Sequence, residues 1–205
     1  MSQPPPAPPN PSPRPPRGPD WWLMLTKFIR KGTSIASFCP SSRSMARAMV
    51  NGIDFDRAKC IVELGAGTGP ITGELVRRVK PHTKLMVVEL DPDLCSRLKA
   101  KFPNVDVVNG DACQLDKLLA ERGIAQVDHV LSGLPLPSFP KPLTDTILST
   151  AAKVLAPDGT VRQLTVMPWV YKRFYRGYFA DVQFKLVTLN VPPGGVYVCR
   201  GFRGK

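Results

Sequence analysis

The sequence offers little from which a metal centre, a disulfide framework or a membrane span could be built. Five cysteines (Cys39, Cys60, Cys95, Cys113, Cys199) and two histidines (His82, His129) are scattered over 205 residues, with no CxxC pair and no Cys/His cluster. An odd, dispersed set of thiols fits reduced cysteines in a cytoplasmic chain and argues against zinc. No stretch has the length and apolarity of a transmembrane helix. The N-terminus lacks the apolar run and small-residue cleavage site of a signal peptide. Large apolar side chains are almost absent from residues 1–19, which hold ten prolines. Such a segment cannot bury enough surface to offset its ordering entropy, and it reads as a disordered, partly polyproline tail. Acidic residues are absent from 21–50, and Asp181 alone faces seven cations in 169–205. The net charge of +12 is therefore concentrated at the two ends. It points to an anionic partner, either nucleic acid or a phospholipid surface.

What is present suffices for one core, since 43% of the residues are hydrophobic. Asp20 is placed to cap a helix over Trp21–Lys31. On this helix Trp21, Trp22, Met24, Leu25, Phe28 and Ile29 share one side, while Thr26, Lys27, Arg30 and Lys31 share the other. A second helix opens at Pro40-Ser41-Ser42 and ends at Asn51-Gly52. From Ala58 the pattern alternates. Strands are expected at Cys60–Leu64, Leu85–Leu90, Val105–Asn109, Val127–Ser132 and Thr160–Val166. Helices are expected near Ile71–Val79, Pro92–Phe102, Gln114–Arg122, Leu143–Val154 and Val170–Tyr178. Two closing strands, Gln183–Leu189 and Val196–Arg200, are joined through Val191-Pro192-Pro193-Gly194-Gly195. This predicts an α/β chain with a doubly wound, mainly parallel sheet and an antiparallel C-terminal edge. Three segments follow: a tail at 1–19, N-terminal helices at 20–57 that face a membrane and cap the site, and a cofactor-binding domain at 58–205.

In such a sheet ligands bind beyond the carboxyl ends of the strands. Gly65, Gly67 and Gly69 stand there, after the first strand. The G-x-G-x-G spacing with Pro70 behind it is not the G-x-G-x-x-G of a pyrophosphate loop. It suits a phosphate-free nucleoside such as S-adenosylmethionine. Glu89, ending the second strand, can accept both ribose hydroxyls. Asp111, after the third, can accept from the adenine amine. Glu63 is placed for the methionine ammonium or a backbone donor. Asp91, before Pro92, reads as a helix cap.

The stretch Ile61–Ala112 resembles the class I S-adenosylmethionine-dependent methyltransferases, which implies a Rossmann-like seven-stranded sheet. It also implies cofactor contacts at Ser41, Ser42, Thr68, Leu90, Ala112 and Ser132, besides those above. Three further segments resemble bacterial phospholipid N-methyltransferases, over roughly residues 21–202. They are Phe38-Cys39-Pro40-Ser41-Ser42 with Ala46-Arg47-Ala48-Met49, then Leu131-Ser132-Gly133-Leu134-Pro135-Leu136-Pro137, and Leu189-Asn190-Val191-Pro192-Pro193. That resemblance implies methylation of phosphatidylethanolamine towards phosphatidylcholine.

The ribosomal RNA adenine dimethylases share the fold and the first motifs. They resemble one another in an Asn/Asp-Leu/Pro-Pro-Tyr/Phe tetrad that holds the amine and stacks on the base. Here that place reads Gly133-Leu134-Pro135-Leu136, with neither side-chain acceptor nor ring, so nucleic acid is disfavoured. A deprotonated aliphatic amine needs mainly positioning. Backbone carbonyls at Gly133 and Leu134 are candidates to orient it. Tyr171, Tyr175 and Tyr178 are candidates for proton transfer or cation–π contact, and Arg173, Arg176 and Arg200 for the lipid phosphate. Trp21, Trp22, Phe28 and Lys31 would meet an anionic bilayer, where each basic residue adds about 1 kcal/mol. The expectation is a peripheral enzyme on the cytoplasmic face of the membrane, without a metal. An RNA adenine methyltransferase and a non-enzymatic membrane-binding protein of the same fold are the alternatives.

Overall fold

A computed structural model describes residues 40–165, 171–187 and 194–204, with side chains from Arg43 onward. The tail at 1–19, the Trp21–Lys31 helix and the segment 188–193 lie outside the described residues. The described residues open with α1 (Pro40–Val50) and continue through β1 (Cys60–Leu64), α2 (Pro70–Val76), β2 (Lys84–Glu89), α3 (Pro92–Lys101) and β3 (Asp106–Asn109). Next come a 3-10 turn (Ala112–Gln114), α4 (Leu115–Ala120), β4 (Val127–Ser132), a second 3-10 turn (Leu136–Ser138) and α5 (Lys141–Val154). The last elements are β5 (Leu155–Thr165), α6 (Lys172–Arg176), β6 (Phe179–Val187) and β7 (Gly194–Phe202).

The seven strands form one sheet in the order β3-β2-β1-β4-β5-β7-β6. The pairs from β3 to β5 are parallel, and β7 runs antiparallel between β5 and β6. The expected Rossmann-like sheet with an antiparallel edge is what the chain forms. All five residues of β1 are buried, because a central parallel strand is covered on both faces. On one face Met49 and Val50 of α1 and Ile71 and Leu75 of α2 pack against Ile61, Leu131 and Val196. On the other, Ile147 and Leu148 of α5 pack with Val62, Val130, Val161, Tyr175 and Tyr197. Asp91 caps α3, its Oδ1 accepting from the backbone N–H of Asp93 (2.9 Å) and Leu94 (3.0 Å). Among the described residues no helix is long and apolar enough to cross a membrane.

The order reverses between β1 and β4, so the carboxyl ends of these strands define the switch point where a ligand can enter. β7 has a second consequence. Because it runs backwards, Gln163 of β5 pairs with Tyr197, while Cys199 pairs with Val161 nearer the amino end of β5.

Arg162 attaches α1 to the sheet. It is 1% exposed. Its Nη1 donates to the carbonyls of Met49 (3.0 Å) and Asn51 (2.8 Å) at the C-terminus of α1. These are carbonyls that a helix end leaves without partners, at the negative end of its dipole. Burial and the neighbouring Arg200 lower the Arg162 pKa to about 10, so it remains a cation at neutral pH. Arg162→Met would leave two inward carbonyls bare and should lower the unfolding free energy by about 2 kcal/mol. Urea denaturation gives the change, and amide exchange should accelerate across 43–50 first. Unaltered exchange there would mean that the guanidinium does not hold α1.

Candidate cofactor and active site

The loop after β1 and the turn after β4 are pressed together. The Gly65 N–H donates to the Val88 carbonyl (2.9 Å), and the Gly133 N–H donates to the Leu64 carbonyl (3.0 Å). A Cβ on Gly133 would lie 2.7 Å from the Gly65 carbonyl oxygen, and one on Gly65 would lie 2.4 Å from Leu134 Cδ2. Gly65 also has φ +68°, with Gly67 and Gly69 at +59° and +80°, the left-handed region that glycine enters freely. Glu89 ties the loop to β2. Its Oε2 accepts from the Gly67 N–H (2.8 Å) and its Oε1 from the Asp91 N–H (3.0 Å). The Thr68 carbonyl accepts from Lys101 Nζ at 3.0 Å.

A cleft opens beside this junction. It is lined by Gly65, Glu89, Leu90, Asp111, Ala112 and Leu134 from the expected set, joined by Val88, Gly110, Phe139 and Ile147. The four additions had weak signals in the sequence: a strand residue, a loop glycine and two apolar side chains that read as core. Asp111 also caps the turn after β3, its Oδ1 accepting from the Cys113 N–H at 2.9 Å. The lining is apolar but for two carboxylates and contains no lysine or arginine. A phosphate would be repelled there, whereas a cationic nucleoside fits.

Glu63 lies outside the cleft lining but is fully buried on β1. Its Oε2 accepts from Thr72 Oγ1 at 2.7 Å, while Oε1 has no hydrogen-bond partner. Burial pushes its pKa up to about 7, against the lowering effect of the Thr72 hydrogen bond. Burial also raises Glu89, opposed by the N–H donors of Asp91 and Gly67. An inward carboxylate oxygen with nothing to accept from suits a positively charged ligand group. The Gly65–Gly133 junction and a cation-free lining that carries the Glu89 and Asp111 carboxylates together fit S-adenosylmethionine, whose sulfonium supplies an electrophilic methyl group.

The other expected residues are placed unevenly. Ser132 is buried, and its Oγ accepts from the Leu134 N–H at 3.3 Å, bracing the turn. The Leu134 carbonyl already accepts from the Leu136 N–H (2.9 Å) and from Gln163 Nε2 (2.8 Å). With both lone pairs taken, it is not an open acceptor for an amine. Tyr175 is 1% exposed inside an aromatic cluster, 4.9 Å from the Tyr197 ring and 5.0 Å from Phe174. Burial raises its pKa further above the usual phenol range, so it is a packing residue and not a proton carrier. Tyr171 is half-buried at the start of α6, and Arg173 and Arg176 are exposed on α6, outside the cleft lining. Tyr178 is buried, its hydroxyl donating to Asp145 Oδ1 at 2.7 Å. Arg200 faces Asp181 at 3.6 Å. It follows Cys199, which pairs with Val161, so the reversed β7 carries Arg200 towards the amino end of the sheet, away from the cleft. Ser41 and Ser42 lie in the first turn of α1, their side chains outside the described residues, as are Trp21, Trp22, Phe28 and Lys31. Among the described residues no group of three or more His, Cys, Asp or Glu could hold a metal.

The Glu63 geometry has a pH signature. Its folded pKa of about 7 exceeds the ordinary 4.5. Between these values the folded state holds one more proton than the unfolded state, so stability falls as pH rises through that window. Glu63→Gln removes the cost, and its stability relative to wild type should rise by roughly 3 kcal/mol between pH 4 and pH 8. Denaturant titrations at both pH values measure this; a pH-independent difference would mean that Glu63 ionises normally.

A sequence profile described as Methyltransferase domain matches residues 61–159. The chain is 48% identical over 187 residues to an Ornithine lipid N-methyltransferase of Singulisphaera acidiphila, covering 90% of this chain and 97% of that protein. It is 32% identical over 190 residues to a Methanosarcina acetivorans protein named Probable ribosomal RNA small subunit methyltransferase A. That alignment covers 83% of this chain and 62% of the relative, so the chain spans less than two thirds of it. Among solved structures, Burkholderia thailandensis 1,6-didemethyltoxoflavin-N1-methyltransferase, with 1,6-didemethyltoxoflavin and S-adenosylhomocysteine bound, shares the fold. The TM-score is 0.66 at 17% identity, with 94% of each chain covered. With this overlap, and a sheet and cleft shaped as described, the chain belongs to the S-adenosylmethionine-dependent methyltransferases.

Proposed function

We propose that the chain methylates the primary aliphatic amine of a membrane lipid head group. The observation that carries this is the turn at Gly133-Leu134-Pro135-Leu136. Where base-methylating enzymes place a polar side chain, Gly133 has no room even for a Cβ, which would lie 2.7 Å from the Gly65 oxygen. Where they place a stacking ring, Leu136 is fully buried. An adenine amine has its lone pair delocalised and needs both devices, whereas an aliphatic amine needs neither. The similarity to an ornithine lipid enzyme over nearly its whole length supports the same class. Ornithine and ethanolamine both present a primary aliphatic amine, so either an ornithine lipid or phosphatidylethanolamine satisfies this chemistry.

In this reading Glu89 and Asp111 hold the ribose and adenine, and Glu63 faces the methionine ammonium. The glycine loop sets the methyl against the turn after β4. Gly133 contributes backbone only. The chain's main catalytic work is alignment of nitrogen, methyl and sulfur. Membrane attachment belongs to the proposal as well. The segment Trp21–Lys31 has the composition of an interfacial helix, which would keep the enzyme peripheral on the cytoplasmic face.

Incubation with methyl-labelled cofactor tests the reaction, with three separate acceptors: vesicles containing phosphatidylethanolamine, vesicles containing ornithine lipid, and RNA. Label should enter the organic phase, and the two vesicle samples identify the head group. Label confined to RNA would replace the lipid reading with a base-methylating one, and label in none would leave a binding protein. Attachment is checked by sedimentation with anionic vesicles. Replacing Trp21, Trp22 and Phe28 by Ser should reduce binding by about tenfold or more on area grounds, with cofactor affinity retained. Undiminished sedimentation would remove the helix from the interface.

A further inference from the structure

Gln163 is a polar residue in a strand that a doubly wound sheet buries on both faces. It stands on β5 opposite Ser132 of β4 and Tyr197 of β7, and it is 1% exposed. Its Nε2 donates to the Leu134 carbonyl at 2.8 Å and to the Leu164 carbonyl at 3.0 Å. Its Oε1 is buried and has no hydrogen-bond partner. Turning the amide over does not relieve this, because it would set the oxygen against two carbonyl oxygens. A buried acceptor left bare costs about 1–3 kcal/mol. Glu63 Oε1 and Gln163 Oε1 are the buried side-chain atoms in this condition among the described residues. The first belongs with the cofactor loop. The second lies beside the turn that carries Gly133 and Leu134, at the carboxyl ends of β4 and β5.

Leu134 joins Gln163 to the cleft. Its side chain lines the cleft, and its carbonyl rests on the Gln163 amide. That carbonyl was the acceptor expected for the substrate amine, and the Gln163 N–H occupies it. The same amide carries an unpartnered acceptor, buried directly behind Leu134 of the cleft lining.

We propose that Gln163 determines specificity: its Oε1 accepts an N–H of the substrate's aliphatic amine while its Nε2 fixes the turn. This rests on the lipid-amine reading above. In the transfer the neutral nitrogen gives its lone pair to the methyl carbon, the S–CH3 bond breaks and the sulfonium becomes a thioether. The new ammonium then sheds a proton to solvent. A hydrogen bond from the amine to Oε1 leaves the lone pair directed at the methyl. A neutral primary or secondary amine has such an N–H, and a neutral dimethylated amine has none. The residue therefore promotes the first and second methylations and is indifferent to a third.

The test uses the full chain, cofactor, and vesicles holding the acceptor lipid in its unmethylated, monomethylated and dimethylated forms. Gln163→Met keeps the length and removes the acceptor. It should lower kcat/KM on the first two lipids by about tenfold or more, the worth of one hydrogen bond in the transition state. On the dimethylated lipid it should change kcat/KM by less than about threefold, with cofactor affinity unchanged. An equal loss on all three lipids would reduce Gln163 to a brace for Leu134, and no loss would remove it from the site. If the variant does not fold, wild type decides. With S-adenosylhomocysteine present, the unmethylated lipid should bind about tenfold more tightly than its trimethylated form, and equal binding overturns the proposal. A wild-type enzyme that labels no lipid would bring down the lipid reading itself. An active wild type with an unselective variant brings down this inference alone.

Discussion

Two backbones meet where β1 and β4 end, and that contact shapes the functional half of the molecule. A Cβ at Gly133 would press on the Gly65 oxygen, and a Cβ at Gly65 would press on Leu134. Both positions must be glycine for the cofactor loop and the turn after β4 to lie this close. Closeness is chemically useful because methyl transfer requires donor and acceptor atoms almost in contact, and a side chain between the two loops would hold them apart. The strand order supplies the place. With β2 on one side of β1 and β4 on the other, chains leaving the carboxyl ends diverge and open the crevice into which both loops fold.

The electrostatics of that crevice follow from burial. The carboxylates of Glu89, in its lining, and of Glu63, behind it, sit where water is excluded, and both have raised pKa values for that reason. Glu89 recovers part of the cost through the N–H groups of Gly67 and Asp91, which also fixes the loop. Glu63 recovers less, with one hydroxyl donor and one bare oxygen. A site with such acids and no cation in its lining is tuned for positive charge. S-adenosylmethionine brings a sulfonium and an ammonium, so the ligand supplies the charge that the protein withholds.

Much of this was legible in the sequence, because the signals were local. The limits of β1 and β4, the cap at Asp91, the glycine loop, and Glu89 and Asp111 at strand ends all follow from short-range pattern. The misplacements share one cause, which is that tertiary pairing decides them. Arg200 looked like a phosphate ligand because it is basic and near the C-terminus. The insertion of β7 between β5 and β6, running backwards, takes it away from the cleft. Tyr175 looked available because tyrosines recur along 171–178, yet it faces Tyr197 in the core. The Leu134 carbonyl looked open because no pattern in sequence reveals that a glutamine 29 residues on will occupy it. Arg162 and Gln163 did carry a signal. Two adjacent polar residues inside an expected buried strand require partners, one on each face, and both found backbone carbonyls.

That pair also shows how the substrate side is constructed. Arg162 faces α1 and Gln163 faces the turn after β4, so one strand holds the helix on one side of the sheet and the active-site turn on the other. Arg162 finds two carbonyl acceptors and Gln163 Nε2 two more, leaving Gln163 Oε1 as the group without a donor. A sheet interior does not retain a bare acceptor without some return, since leucine there would avoid the desolvation cost. An amine N–H is the simplest group that satisfies it, and an aliphatic amine is what a turn without side-chain donor, acceptor or ring can still align. Under the proposal for Gln163, its empty acceptor and the missing side chain at Gly133 describe one substrate from opposite directions: small at the reacting nitrogen, hydrogen-bearing, and not aromatic.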